Sequence, residues 1–591
     1  MRTDFRNSKG KLLLGVSLGV VLAAGGMSSV MAQDANVENE DVFDEIVVTG
    51  FRSSLMSAIA TKRNSVGSVD AIMAEDIADF PDLNLAESLQ RIPGVTIRRE
   101  AGEGRNISVR GLGPQFTRVR VNGMEGLGTS GGTDSSGGAN RSRQFDFNIF
   151  ASELFNSLVV RKTAEASVDE GALGATVDLN TGRPFDYDGQ TIVLAGQALY
   201  NDVAEKVSPR ASALYTNSWN DKKVGLLFAV SYSKRNIQEE GASTVRWQAN
   251  DFLSCSACTS DGEIAAVNDA FHPRIPRYGR LTHEQERLGI NGALQFAVGD
   301  NTEIVIEGLY GSLKGTRQEQ FLEALIRNNE DEMDVTDYTI QDGKLISATF
   351  DNAFIRVENR LDELDTVFTQ ITGTITHDFS DTFRVDALVG TSKSDFQNPI
   401  QTTIIFDRIS DGYSYDYSGD ENLPQFNYGF DVTDPTEFEF TEVRDRPNSV
   451  VNTYDTIQIN AEYDLTDTIS VKGGINWKKY GFDVAEARRD DSVADILGAS
   501  VPVTADLAGL LTGFGSGLDI PSGTDLSWVS PNIGAAVTLV DLYNLSAAPR
   551  DRDIRSVAEE NLGAFVQFDL NTSIGDMGFR ANGGVRVVET K

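Results

Sequence analysis

The sequence predicts a mainly β protein, a transmembrane antiparallel β-barrel preceded by a small α+β domain. Three observations predict it. An export signal opens the chain, and no later run is long and apolar enough for a spanning helix. The larger C-terminal part consists of segments of alternating polarity, each near the ~10 residues of a tilted barrel strand. The connections between those segments alternate between short and long, the layout of an outer-membrane barrel.

Arg2, Arg6, Lys9 and Lys11 form a basic start, Leu12 to Ala24 an apolar stretch, and Val30-Met31-Ala32 a cleavage site before Gln33. Residues 1–32 are therefore read as a signal peptide, which places the mature protein in the periplasm, the outer membrane or the medium. The net charge of −35 excludes nucleic acid as a partner. It is unevenly spread. Residues 51–183 hold 15 basic and 16 acidic side chains, and residues 184–591 hold 33 and 64.

In 51–183, residues 70–94 read as helix and turn. Phe80-Pro81-Asp82 opens the helix, Leu83, Leu85, Ala86 and Leu89 form its apolar stripe, and Pro93-Gly94 stops it. Strands follow at Val95–Ile97, Ile107–Val109 and Val119–Val121, with Asn122-Gly123 as a tight turn. Gly126 to Gly138 must be a loop. Leu158–Val160 and Ala175–Leu179 complete a small α+β domain.

In 184–591, alternating segments occupy Ile192–Tyr200, Val224–Tyr232, Ile304–Tyr310, Thr369–Phe379, Phe383–Val389, Thr456–Leu465, Ile469–Tyr480, Leu562–Leu570 and Phe579–Val588. About eleven are expected in all, with long loops near 237–282, 321–362, 397–450 and 484–556. A plugged outer-membrane transporter has 22 strands. The chain stops at Glu589-Thr590-Lys591 inside a strand-like run. A C-terminally truncated fragment, about half of such a barrel, is expected.

Asp44-Glu45-Ile46-Val47-Val48-Thr49-Gly50 is a short β-prone run with no sheet of its own, inside the segment 33–50. It resembles the TonB box of TonB-dependent outer-membrane receptors. Asn84 to Val95, Ile107 to Gly113, Val119 to Gly123 and Gly171 to Val177 resemble the plug domain of the same family. The resemblance implies active import across the Gram-negative outer membrane. The plug, 51–183, closes the lumen of the barrel, 184–591. TonB and its inner-membrane energising complex pull on the box, with β-augmentation as the grip. Gly131 to Arg143 is similar to a proteobacterial branch linked to oligosaccharide uptake, so an oligosaccharide is the expected cargo. A ferric siderophore or cobalamin is the alternative. A surface adhesin and a secreted carbohydrate-active enzyme are the readings from other classes.

Within this frame Arg98, Arg99, Arg105, Arg110, Arg118 and Arg120 are expected to pair with carboxylates of the inner barrel wall; Arg141 and Arg143 belong to the same cluster. Tyr413, Tyr415 and Tyr417 alternate with Ser414 and Asp416, a pattern suited to sugar stacking and equally to a membrane-interface girdle. Cys255 and Cys258 are spaced as half a zinc site; with no second pair, a loop disulfide is the preferred reading over metal or free thiols. His272, His283 and His377 are too scattered for a catalytic triad. No cofactor, metal or enzymatic activity is expected. The partners are TonB, outer-membrane lipid and a small extracellular ligand.

Overall fold

The computed structural model describes residues 49–73, 84–100, 102–131, 143–545, 554–575 and 577–591. The signal peptide and Asp44 to Val48 lie outside them.

The N-terminal domain begins with helix α1 (Thr49–Asn64) and strand β1 (Val69–Met73). Thr49 and Gly50 are thus helical. Of the expected helix near 80–89, residues 80–83 lie outside the described residues, and Leu85–Leu89 form helix α2. Asn84 caps it, its side chain accepting from the amides of Ala86 and Glu87, as an N-cap residue does. Next come β2 (Val95–Glu100), β3 (Glu103–Val109), β4 (Thr117–Val121), β5 (Met124–Glu125), β6 (Phe155–Arg161) and β7 (Ala175–Thr181). Strands β2 and β3 form a hairpin; the others form one sheet in the order β1-β6-β7-β4-β5. Asn122 and Gly123 carry φ of 50° and 81°, both left-handed, as a two-residue hairpin turn requires.

Eleven further strands follow as a consecutive antiparallel meander. They are β8 (Thr191–Asn201), β9 (Lys206–Trp219), β10 (Val224–Ser243), β11 (Arg277–Ala297), β12 (Thr302–Ala324), β13 (Ala353–Ser380), β14 (Phe383–Ser410), β15 (Asn448–Thr466), β16 (Ile469–Glu486), β17 (Arg555–Ile574) and β18 (Met577–Thr590). Every strand pairs with its sequence neighbours, and β8 and β18 are not paired with each other. Strands β9 and β11 were not among the alternating segments. The inward side of β11 carries His283, Arg287, Asn291 and Gln295, which hides its strand character in charge.

The two faces of this wall differ in chemistry. Phe228, Leu294, Ile306, Ile371, Ile375, Val389, Ile457, Ile459, Ile475, Val566 and Val587 are exposed on the outer face. Ala229, Asn291, Glu307, Gln370, Thr372, Thr456, Lys478 and Gln567, on the opposite face, are buried, and Ala229, Glu307, Gln370, Lys478 and Gln567 meet the N-terminal domain. A polar inside and an apolar outside is the alternation of a lipid-facing wall. The short connections, including 298–301, 381–382 and 467–468, share one end of the meander. Phe379, Phe383 and Tyr463 cluster there, with ring centroids 5.4 Å and 6.2 Å apart. Amphipathic and aromatic rings at that level suit a membrane interface.

At the other end the strands run on well past a membrane's thickness; β13 and β14 each have 28 residues. The connections there pack into a cap with its own apolar core. Its centre is a four-stranded sheet of Asp334–Gln341, Lys344–Asp351, Tyr413–Asp416 and Gln425–Asn427. The expected long loops are therefore shorter and more structured. Cys255 and Cys258 are joined by a disulfide in this cap.

Strand β13 turns at Asp381, so Ile375 lies near the middle of a ~10-residue crossing. Ile375→Arg in the full-length protein is expected to destabilise the membrane-inserted form by about 2–4 kcal/mol. Urea titration of protein folded into lipid vesicles measures this; an unchanged midpoint would mean that Ile375 does not face lipid.

Candidate functional site

The N-terminal domain sits against the inner face of the wall, and the seam between them is the candidate site. Its apolar part is continuous with the domain core. Phe145, Phe147, Ile149, Phe150 and Leu154 pack with Leu227, Ala229, Ala293, Leu309 and Phe368 of the wall. Phe150 and Phe368 meet edge to face at 5.0 Å, an arrangement favoured beyond simple burial. Close approach is enforced by missing side chains. A Cβ on Gly390 of β14 would collide with the sulfur of Met124, and one on Gly289 of β11 with Leu154.

Side chains of the wall also satisfy backbone groups of the domain. Gln370 Nε2 donates to the carbonyl of Val121 at 2.8 Å. Arg287 Nε donates to the carbonyl of Asn148 at 2.7 Å.

The ionic part of the seam reverses the expected polarity. Arg235 and Arg287 of the wall hold Glu103 at 2.9 Å and 2.7 Å, and Arg317 lies 3.4 Å from Glu100. Lys478 and Arg586 hold Asp169 at 2.8 Å and 2.7 Å, and Arg586 also pairs with Glu170 at 2.7 Å. Arg210 pairs with Glu153. The domain thus presents mainly carboxylates and the wall mainly bases. Arg143–Glu559 and Arg183–Glu307 run the other way.

Five of the six arginines expected to face the wall are engaged within the N-terminal domain. Arg105 pairs with Asp146 at 2.8 Å and with Glu100. Arg118 pairs with Glu125, Arg120 with Asp178 at 2.6 Å, and Arg99 approaches Glu87 at 3.9 Å. Arg110 donates to the carbonyl of Lys162, and Arg98 is exposed. Among the described residues, Arg118 also reaches the wall, through the Tyr480 hydroxyl at 3.5 Å. The cause is local supply, because the domain holds one more acid than base. Its arginines find carboxylates on adjoining strands, and its remaining acids are left for the bases of the wall.

Two voids interrupt the seam. One, of about 30 Å³, lies among Glu100, Arg105, Ser130, Asn148, His283 and Arg317, room for about one water. The other is an open cleft of about 380 Å³ toward the short-turn end, lined by Arg120, Arg161, Asp178, Arg183, Asp386 and Asn460. Among the described residues no cluster of His, Cys, Asp and Glu suits a metal ion.

The tyrosines proposed for ligand contact are interior. Tyr413, Tyr415 and Tyr417 are buried in the cap core. Tyr415 donates to the carbonyl of Leu345 at 3.0 Å, and Tyr413 packs on Tyr428 with centroids 5.6 Å apart. Burial holds the Tyr413 and Tyr415 hydroxyls well above their ordinary pKa. They are neither a sugar platform nor an interface girdle. The connections fold on one another, so aromatic alternation here marks a cap sheet covered on its tyrosine side.

Residues 61–176 match the family model of the TonB-dependent Receptor Plug Domain. The N-terminal domain is a plug. Over 199 residues, 32% of this chain, the sequence is 28% identical to the ferric enterobactin receptor PirA of Pseudomonas aeruginosa. That match spans 25% of the relative's length. Among solved structures, a mutant of the ferric enterobactin receptor PfeA of Pseudomonas aeruginosa in complex with enterobactin is similar at 11% identity. It covers 89% of this chain and 100% of that one, with a TM-score of 0.31. The siderophore receptor PirA of Acinetobacter baumannii is similar at 12% identity, covering 86% and 94%, with a TM-score of 0.24.

The plug–wall contact has a direct test. Lys478 is fully buried against Asp169. Asp169→Asn leaves that cation without its carboxylate, and breaking a buried pair in this way costs about 3–5 kcal/mol. The urea midpoint for protease exposure of the plug is expected to fall accordingly, and Asp169→Asn combined with Lys478→Met is expected to recover most of the loss.

The cap carries a pH dependence of its own. Burial holds the His272 imidazole below the usual 6.5, with the Pro273 carbonyl and Glu330 opposing that shift. The unfolded chain takes up the proton more readily, so stability is full above about pH 6.5 and is lost as pH falls through it. The cap melting temperature is expected to drop between about pH 7 and pH 5, and His272→Gln is expected to flatten the drop.

Proposed function

We propose that the full-length protein is a TonB-dependent receptor that draws a ferric siderophore through the outer membrane. The observation that carries this reading is a plug seated in a wall that is apolar outside and polar inside. Such a wall shuts a pore, and opening it takes work. The alternation of the wall supports the outer membrane as its address. An adhesin would have no use for a buried ionic seam.

The similarity to the ferric enterobactin receptor supports the siderophore among the cargoes considered. The oligosaccharide reading rests on Gly131 to Arg143, of which only Gly131 and Arg143 are described. Nothing in the fold favours cobalamin.

The proposed domains are a leader at 1–32, a TonB-box segment at 33–50, a plug at 51–183 and the barrel wall from 184 on. In this proposal Asp44 to Gly50 add as a strand to TonB, and tension passes through α1 to β1. Among the described residues, strand β1 is at the edge of the plug sheet and pairs with β6 alone. Asp70 of β1 ties it to Lys62 of α1 and to Lys162, both at 2.6 Å. Peeling one edge strand breaks a single ladder. Extracting the whole plug would break every buried ion pair of the seam, so partial unfolding from β1 is the cheaper route.

Val47→Pro removes an amide from the strand offered to TonB. Cells carrying full-length Val47→Pro are expected to bind radiolabelled ferric enterobactin with an affinity within about twofold of wild type, yet to take up none. Normal energised uptake would refute the coupling role. A parallel assay with a labelled maltooligosaccharide distinguishes cargo, and saturable uptake of the sugar alone would overturn the siderophore reading.

A further inference from the structure

The cap holds an arrangement of charge that neither plug nor transport explains. A short antiparallel ribbon pairs Trp247 with Pro273 and Gln248 with His272. One step further along, Arg246 and Arg274 stand opposite each other, the Arg274 amide donating to the Arg246 carbonyl at 2.9 Å. On the other side the Arg327 amide donates to the Arg274 carbonyl at 3.0 Å. Three arginines from two connections, Arg246 and Arg274 from that between β10 and β11 and Arg327 from that between β12 and β13, are thus adjacent across the backbone.

Arg246 and Arg327 are exposed, whereas Arg274 is 5% exposed. Its Nε and Nη1 are buried and have no hydrogen-bond partner among the described residues. None of the three arginines forms a salt bridge among those residues, although the chain carries 87 acidic side chains. Glu330, a carboxylate that acts electrostatically on Arg274, accepts from Gln248 and lies 3.8 Å from His272 Nε2. Burial first, then Arg327 and Arg246, weakens the hold of Arg274 on its proton.

Like charges directly opposite on neighbouring strands destabilise a sheet. A buried donor without an acceptor adds a desolvation cost. An anion between the three side chains removes both penalties, and guanidinium forks match the oxygens of phosphate.

We propose that Arg246, Arg274 and Arg327 form a binding site for a phosphate-type oxyanion, with Arg274 as its buried floor. The site is independent of the cargo carried through the plug. The phosphate reaches it either free in solution or as part of an outer-leaflet lipid headgroup.

The test uses purified full-length protein in detergent. Inorganic phosphate is titrated at constant ionic strength while the melting temperature is read, since a ligand of the folded state raises it. Wild type is expected to respond. Arg246→Gln and Arg327→Gln, both at exposed positions, are each expected to weaken the apparent Kd about tenfold or more. Arg274→Gln is expected to abolish the response, and the two exposed variants decide the matter if it does not fold. Lipid phosphorus that copurifies from outer membranes is measured on the same samples. Equal lipid phosphorus in wild type and variants, with the response weakened, identifies free oxyanion. Lipid phosphorus lost in the Arg246→Gln/Arg327→Gln double variant identifies a headgroup. A wild type indifferent to phosphate, with lipid phosphorus equal to that of the variants, would overturn the proposal.

Discussion

Lys478 points from the wall into the plug and ends on Asp169, out of reach of water. A lone buried ammonium is costly, and only a charge partner with good geometry makes the position tolerable. Plug and wall are each electrostatically incomplete in that sense. Glu103 needs Arg235 and Arg287, Asp169 needs Lys478 and Arg586, and each base needs its acid. Much of the structure follows from this dependence. Charged groups on the inner face of the wall, such as Arg235, Arg287, Lys478 and Arg586, are tolerable because the plug pairs them. The plug can keep buried carboxylates because the wall neutralises them.

The same chemistry suits a gate. Apolar contacts such as Phe150 on Phe368 resist separation without depending strongly on angle, whereas charge-assisted hydrogen bonds fix one seating. A seam built from both is stable at rest. In the proposed transport cycle, opening it takes work applied to the plug from outside the wall. Strand β1, at the sheet edge and next after α1 in the chain, is where the plug would yield first in the proposed transport cycle.

The lower halves of the wall strands were legible in the sequence because one face meets an apolar medium and the other a polar plug. Ile371 beside Gln370 and Thr372 is that signal in three residues. It fades where both faces are covered. The upper ends of β13 and β14 pass into the cap, where Ile404, Ile405 and Phe406 are buried in succession, and alternation no longer marks a strand. Strand β11 was hidden for the opposite reason, since its inward side is charged to meet the plug. The plug motifs were legible as a family resemblance, but the partners of its arginines were not. Composition shows that Arg105 and Arg120 need acids; only the fold shows that Asp146 and Asp178 lie nearer than the wall. Tyr413, Tyr415 and Tyr417 were misleading because alternating aromatics look alike on a ligand platform and in a covered sheet.

The central claim is that the plug is seated inside this wall. Met124 of the plug and Gly390 of β14 meet there so closely that a Cβ on Gly390 would touch the Met124 sulfur. Full-length protein carrying Met124→Cys and Gly390→Cys, exported to an oxidising compartment, tests the seating most directly through maleimide labelling of the new thiols. The account predicts that the two cysteines form a disulfide spontaneously and label only after reduction. Full labelling of both without reductant would contradict it.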